Sequence, residues 1–252
     1  GDYLSPDFVR ELYHAAKGIN PEAYIVGEVW GIAASWFKHG ALDGVMNYRL
    51  RDGIVAFFAR DEWSAERFAQ HLYGLRRSYP PEANYHMYNL AGSHDVPRFL
   101  TLCGGDRRRL ILAYAFLFTY IGAPAIYYGD EVGLEGGEDP DCRRPFPWEE
   151  EQWDRDLLET VRKLARIRQA SWALRRGDFR MVEARGRLLS FLRRWEGEEA
   201  FVVLNAGDRK GQAKLPSPGP WQDLGTGEQV REDHVPVETL GFRILRRAVG
   251  GA

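Results

Sequence analysis

The sequence predicts an α/β unit over residues 1–177 followed by a small antiparallel β domain over 178–252. Three observations predict it. Short apolar strands alternate with helix-length amphipathic stretches up to Arg176. The pattern switches at Gly177-Asp178 to short β-type runs punctuated by turn residues. Polar, acidic and glycine-rich residues follow directly on the strand ends, where α/β barrels and doubly wound sheets alike place their sites.

Each element follows from local signals. Asp7 to Lys17 has helical spacing, with Ser5 as N-cap, Pro6 at the first position and Gly18 as the stop. Ala23 to Gly27 reads as a buried strand running into Glu28-Val29-Trp30, and Gly44 to Tyr48 as a second strand. Arg51–Arg60 and Ser64–Arg77 are helical stretches. Tyr85 to Leu90 is a third strand, ending in Ala91-Gly92-Ser93-His94-Asp95. Arg107 to Ile121 is a helix. The 19 uncharged residues Leu110–Tyr128 have the length of a membrane span. However, Gly122-Ala123-Pro124 breaks the helix, and Ala125–Tyr128 reads as a buried fourth strand, so the run is one αβ step of a parallel sheet. After a loop rich in Gly, Asp and Pro, Gln152 to Arg176 reads as one long helix. Phe179–Ala184, Leu188–Arg194, Ala200–Asn205, Gln212–Leu215 and Leu240–Leu245 then read as strands.

Composition excludes several classes of function. The net charge of 34 − 36 = −2 gives no footprint for nucleic acid or an anionic membrane surface. The 44% hydrophobic and 28% charged content is that of a globular chain, not a disordered one. Two cysteines, Cys103 and Cys142, exclude a disulfide scaffold and a Cys-only zinc site. The opening GDYLSPDF shows no basic stretch followed by an apolar one, so the expected compartment is the cytoplasm. The lack of an initiator Met suggests a processed start or a piece of a longer chain.

Three acidic clusters stand at strand ends. Glu28 alone would be a loop carboxylate that caps a helix or pairs with an arginine. Trp30 beside it supplies an apolar neighbour of the kind that raises a carboxyl pKa, as a general acid requires, and a flat face for a sugar ring. His94-Asp95 is either an Asx-turn cap or a donor and an anion side by side at a strand end. The third cluster, Gly129-Asp130-Glu131 and Gly136 to Arg144, matches neither an EF-hand loop nor a phosphate loop with its lysine. Cys142 reads as a buried structural thiol, with no His or second Cys close in sequence. No metal ligand set is assigned. Two carboxylates at strand ends with exposed aromatics suggest glycoside hydrolysis of a neutral, polar substrate. Glu28 and Asp95 fit either an inverting pair, about 6.5–9.5 Å apart, or a retaining pair at about 5–5.5 Å.

These residues resemble the α-amylase family, glycoside hydrolase family 13, in its neopullulanase, cyclomaltodextrinase and maltogenic amylase group. Ile25-Val-Gly-Glu-Val-Trp30 resembles the fifth-strand motif and Ser93-His94-Asp95 the seventh. Ala125-Ile-Tyr-Tyr-Gly-Asp-Glu131 and Gly136-Gly-Glu-Asp-Pro-Asp-Cys-Arg143 resemble the eighth strand and its loop. The resemblance covers nearly the whole chain. It implies a fold: the C-terminal half, strands 5–8, of a TIM (β/α)8 barrel followed by a small antiparallel β-sandwich domain. It also implies roles: Glu28 as catalytic acid/base, Asp95 as transition-state stabiliser, His94 as a sugar-binding donor, Trp30 on the acceptor side, and Asp139 with Arg143 on the glycone sugar. The family's nucleophilic Asp has no counterpart here, since Asp2 and Asp7 stand too close to Glu28. The nucleophile, the first four strands and most of any calcium site are therefore expected upstream, with no cofactor in this chain. The expected partners are an α-glucan substrate, the other half of the barrel, and a second copy where this group dimerises through an N-terminal domain. The competing readings are a non-catalytic α-glucan-binding relative and an inverting hydrolase using Glu28 and Asp95 alone.

Overall fold

Parallel pairing builds the first part of the molecule. In the computed structural model, which describes residues 4–38 and 40–249, β1 (Val26–Gly27) pairs in parallel with β2 (Gly44–Val45), and β3 (Tyr88–Leu90) with β4 (Ala123–Ala125). A parallel bridge between Met46 and Tyr88 joins the two pairs, so the four strands stand side by side in chain order. Helix α1 (Pro6–Ile19) precedes β1, and α2 (Ala34–Lys38) connects β1 to β2. From β2 to β3 run α3 (Tyr48–Ile54), a π-helical turn over Val55–Ala59, and α4 (Ala65–Arg77). From β3 to β4 run α5 (Phe99–Leu102) and α6 (Arg107–Thr119). This is the α/β alternation that the sequence predicts. Asp2 lies outside the described residues.

Capping residues start several of these helices. The side chain of Asn47 accepts from the Leu50 N–H at the head of α3, and Ser64 accepts from Arg67 at the head of α4. Asp106 does the same for Arg108 at the start of α6. The uncharged run along α6 is explained by burial on every side, from Leu110 and Leu112 through Thr119. Phe116 joins an aromatic cluster in which Phe57 and Phe68 stack at 4.9 Å and Phe58 meets Phe68 edge-on at 5.7 Å. No helix among the described residues is long and apolar enough to cross a membrane.

Several local expectations are corrected. The fourth strand falls on Ala123–Ala125, beginning within the break itself, and not on Ala125–Tyr128. Gly122 makes this possible at φ 100°, and a Cβ there would stand 2.5 Å from Asn89 Nδ2. Gly18 lies inside α1, which runs on to Ile19, and Ser5 makes no side-chain cap. The long helix from Gln152 to Arg176 is two helices, α7 (Arg155–Ala170) and α8 (Trp172–Arg176). Ser171 breaks it: its hydroxyl donates to Glu198 Oε1 at 2.6 Å and accepts from the Leu174 N–H to start the second helix.

Beyond Gly177 the chain is antiparallel. Strands β5 (Arg180–Arg185), β6 (Leu188–Trp195), β7 (Glu198–Asn205), β9 (Trp221–Asp223), β10 (Gln229–Val230) and β12 (Gly241–Ala248) form one sheet in the order β10-β9-β12-β7-β6-β5. β8 (Gly211–Lys214) and β11 (His234–Val237) pair separately. Alternation along β7 assigns the two faces of the large sheet. Ala200, Val202 and Leu204 join the core shared with the helices, while Phe201 and Val203 join a second core with Ala213, Trp221 and Val235. Strands β9, β10 and β11 are absent from the sequence reading, because runs of two to four residues carry little periodic signal.

One surface is strongly apolar. Phe8, Leu12 and Ile19 are 55%, 49% and 89% exposed and share one face of α1, while Val9 behind them is buried. Val26 on β1 and Ile32 just after it are exposed too.

Candidate active site

Two buried asparagines tie three of the parallel strands together. The Asn47 N–H donates to the Tyr88 carbonyl, and its Nδ2 donates to Asn89 Oδ1 at 2.9 Å. Asn89 Nδ2 in turn reaches the Ile121 carbonyl at 2.7 Å. These bonds fix the ends of β2 and β3 against the approach to β4. Gly27, the last residue of β1, packs so tightly that a Cβ would meet Leu42 Cδ1 at 2.5 Å. Glu28 therefore leaves the sheet from a fixed backbone position.

Tyr48, at the head of α3, organises what stands above. It is only 2% exposed. Its hydroxyl donates to Glu28 Oε1 at 3.2 Å and lies 3.0 Å from Ser93 Oγ. Since Tyr48 gives its one proton to Glu28, Ser93 donates to Tyr48. Ser93 Oγ also accepts from the Asp95 N–H at 3.3 Å, which continues the chain of hydrogen bonds from Asp95 through Ser93 and Tyr48 to Glu28. Burial pushes the Tyr48 hydroxyl up to about 12, and the nearby Glu28 and Asp95 add to the effect, so it remains a donor at neutral pH. Trp30 stacks flat on the Tyr48 ring, with centroids 4.0 Å apart and planes 12° apart.

The structure brings the six residues expected from the sequence into one connected constellation. His94 Nε2 is 3.8 Å from Glu28 Oε1 and 3.4 Å from Asp95 Oδ1. Arg143 Nη2 donates to Asp95 Oδ1 at 3.0 Å, and its Nε lies 2.7 Å from Asp139 Oδ1 and 2.9 Å from the His94 carbonyl. Trp30 joins through Tyr48. Cys142 is fully buried and donates its thiol to the His94 carbonyl at 3.1 Å, a structural role. The side chains of Glu28 and Asp95 are 39% and 30% exposed, so the constellation is open to solvent.

This arrangement offers a carboxyl group oriented by a phenol, a second carboxylate paired with a guanidinium, and an imidazole between them. One oxygen of each carboxylate and a nitrogen of His94 lie within 4.8 Å of one another. The same three atoms are close enough to hold a cation. Asp95 Oδ1 already accepts from Arg143, and Glu28 Oε1 from Tyr48.

Sequence reasoning missed Tyr48 and Ser93 as site residues. Asp130, from the third acidic cluster, is not at the surface of the site. It is buried beneath it and salt-bridged to the buried Arg98 at 2.8 Å.

The family profile described as "Alpha amylase, catalytic domain" matches residues 5–177. Neopullulanase 2 of Thermoactinomyces vulgaris is 42% identical over 229 residues, covering 88% of this chain and 39% of that protein. A cyclomaltodextrinase of Geobacillus thermopakistaniensis is 39% identical over 231 residues, covering 90% of this chain and 39% of that protein. Among solved structures, the ligand-free cyclic α-maltosyl-(1→6)-maltose hydrolase of Arthrobacter globiformis superposes with a TM-score of 0.89 at 35% identity. That match covers 98% of this chain and 54% of the other. The chain thus spans about two-fifths of the length of these curated relatives.

Proposed function

The chain belongs to the α-amylase family of glycoside hydrolases, and from that premise we propose that it carries the acid/base half of a retaining α-glucan hydrolase. The substrates are cyclodextrins, pullulan or starch, cut at α-1,4 and in part at α-1,6 bonds. In this reading residues 1–177 supply strands five to eight of a (β/α)8 barrel, and residues 178–252 form a β-sandwich domain. Support comes from four parallel strands in chain order, from the apolar face of α1 beside β1, and from the share of the relatives that the chain spans. An upstream segment would cover that face and supply the nucleophilic aspartate.

The single observation that carries the reading is the gathering of Glu28, His94 and Asp95 within 4.8 Å of one another, with the Tyr48 hydroxyl donating to Glu28. With Tyr48 donating to Oε1, the acid form of Glu28 holds its own proton on Oε2, free for the glycosidic oxygen. Glu28 protonates that oxygen as the upstream aspartate attacks the anomeric carbon. It then takes a proton from the water that hydrolyses the glycosyl intermediate. Asp95 presents negative charge to the cation-like transition state, with His94 donating to a sugar hydroxyl. Trp30 offers its indole to the acceptor sugar, while Asp139 and Arg143 hold the glycone.

Glu28→Gln in the enzyme that includes the upstream half tests this. Turnover on maltooligosaccharides should fall by at least the about 10²–10⁴-fold that general acid–base catalysis supplies. A rate close to wild type would overturn the assignment. Reducing-sugar release from starch, pullulan or cyclodextrin by the unmutated enzyme separates this reading from a non-catalytic α-glucan-binding relative.

A further inference from the structure

The segment Ala91–Pro97 leaves β3 and carries Ser93, His94 and Asp95. Both of its ends are held by one side chain. Arg51, on α3 and 8% exposed, donates its Nε to the Ala91 carbonyl at 2.9 Å and its Nη2 to the Pro97 carbonyl at 3.2 Å. Arg51 has no salt bridge among the described residues. A buried guanidinium spent on two carbonyls is costly, and an apolar side chain would pack the same space at less expense in desolvation. What sets Arg51 apart is where its two carbonyls lie, at either end of the segment that carries His94 and Asp95.

The neighbouring bonds show what is being held. The Arg98 N–H, one residue beyond the segment, donates to the Gly136 carbonyl at 3.0 Å. Its guanidinium donates to the Tyr128 carbonyl and to Asp130 Oδ1, both at 2.8 Å. These bonds tie the end of the segment to the loop that carries Asp139 and Arg143. Asp130 Oδ2 accepts from the Tyr114 hydroxyl at 3.2 Å and lies 2.9 Å from where a Cβ on Gly92 would stand. The floor beneath His94 and Asp95 is thus rigid, and Arg51 closes the segment above it.

We infer that Arg51 is a positioning residue whose guanidinium staples the two ends of the 91–97 segment and so sets His94 and Asp95 against Glu28. This rests on the hydrolase reading above. Arg51 acts through backbone carbonyls and not on the sugar. Trp30, Asp139 and Arg143 lie outside the segment, so of the contacts assigned to substrate binding only that of His94 is carried by it. Its loss should therefore appear mainly in the chemical step, with only a small change in substrate affinity through His94.

The test uses Arg51→Lys and Arg51→Met in the enzyme that includes the upstream half, with Arg193→Met as control. Arg193 is also buried and also bonds only carbonyls, those of Thr119, Gly177 and Asp178, at the junction with the large sheet. A displacement of about 1 Å in a catalytic group costs about 10²-fold in rate. We expect kcat to fall about 100-fold in Arg51→Met and about 10-fold in Arg51→Lys, which reaches one carbonyl, with KM changed by less than about threefold. Arg193→Met should lower Tm and leave kcat unchanged. Gly92→Ala disturbs the same segment from below and should give the same split if the Arg51 variants do not fold. Wild-type kcat in a folded Arg51→Met protein, or an equal kcat loss in Arg193→Met, would overturn the inference. If the unmutated enzyme releases no sugar, the hydrolase reading fails separately. Hydrogen exchange at the amides of residues 92–96 then decides the staple: faster exchange in Arg51→Lys supports it, and unchanged exchange overturns it.

Discussion

Replacing Tyr48 by Phe isolates the hydroxyl that joins the two halves of the site. The ring is retained, so the stack on Trp30 at 4.0 Å and the burial of the aromatic surface persist. Two hydrogen bonds are lost, one to Glu28 Oε1 at 3.2 Å and one from Ser93 Oγ at 3.0 Å. Glu28 is partly exposed and can replace its lost donor with water, and Ser93 still accepts from Asp95, so unfolding should cost less by only about 1 kcal/mol. Catalysis is more sensitive. A hydrogen bond to a charged group contributes about 1.5–3 kcal/mol, and the water that replaces Tyr48 does not fix which carboxyl oxygen carries the proton. At about 1.4 kcal/mol per factor of ten, kcat on a maltooligosaccharide should fall about 10- to 100-fold. The assay pairs steady-state kinetics with thermal unfolding. A Tyr48→Phe enzyme with kcat within about twofold of wild type would refute the orienting role of the hydroxyl. A loss of kcat accompanied by a collapse in Tm would show that Tyr48 serves the fold instead.

Other expectations concern charge and the open face. Burial alone would raise the Asp61 carboxyl, but hydrogen bonds and charge from Arg109 and Arg187 outweigh it and hold it below its ordinary value. The same balance, with Arg194 and Arg247, lowers Glu199. Their stabilisation is present above the unfolded pKa near 4 and is lost as pH falls through the lower folded one. Thermal unfolding should therefore drop below about pH 4, and Asp61→Asn should flatten that fall; an unchanged acid limb would count against it. Asp130 behaves in the opposite sense. Burial pushes its carboxyl up to about 7 against the pull of Arg98, so its contribution is full at low pH and declines as pH rises through about 7. Asp130→Asn should reduce the slope of Tm between about pH 4 and 7, and an unaltered slope would exclude this role. Finally, Leu12→Asp on the exposed face of α1 should leave the Tm of this chain alone unchanged but lower that of the enzyme with its upstream half, since burying a Leu contributes about 1.5–3 kcal/mol. Equal behaviour in the two contexts would mean that nothing packs there.

What was legible in the sequence follows from how far each contact reaches. Glu28, His94 and Asp95 were readable because each stands shortly after a strand end, whereas Asp139 and Arg143 were readable only through the family motif in the loop after β4. Tyr48 and Arg51 were not. Tyr48 acts on residues 20 and 45 positions away, and Arg51 on residues 40 and 46 away, so nothing local marks either. The same holds for the break in the long helix, where Ser171 answers to Glu198, 27 positions on. Strand boundaries shifted for another reason. Parallel pairing engages only two or three residues of each strand, and the apolar run Ala125–Tyr128 outweighed the pairing that begins at Ala123.

The site and the core make different demands on the same loops. A strand end can place a carboxylate, but it cannot by itself hold the loop beyond it, because the backbone groups there have left the sheet. Three arginines take over that task. Arg51 bonds the carbonyls at either end of the 91–97 segment, Arg98 joins that segment to the loop after β4, and Arg143 bonds both the His94 carbonyl and the Asp95 carboxylate. Each of the three reaches at least one carbonyl that has left the sheet. A lysine, with a single nitrogen, bridges such a pair of acceptors less well than a planar guanidinium with its fixed fork of donors. The two buried arginines hold the backbone, and the exposed one meets the Asp95 carboxylate. A change at either buried arginine should therefore move His94 and Asp95 together, whereas a change at Arg143 should act on Asp95 directly.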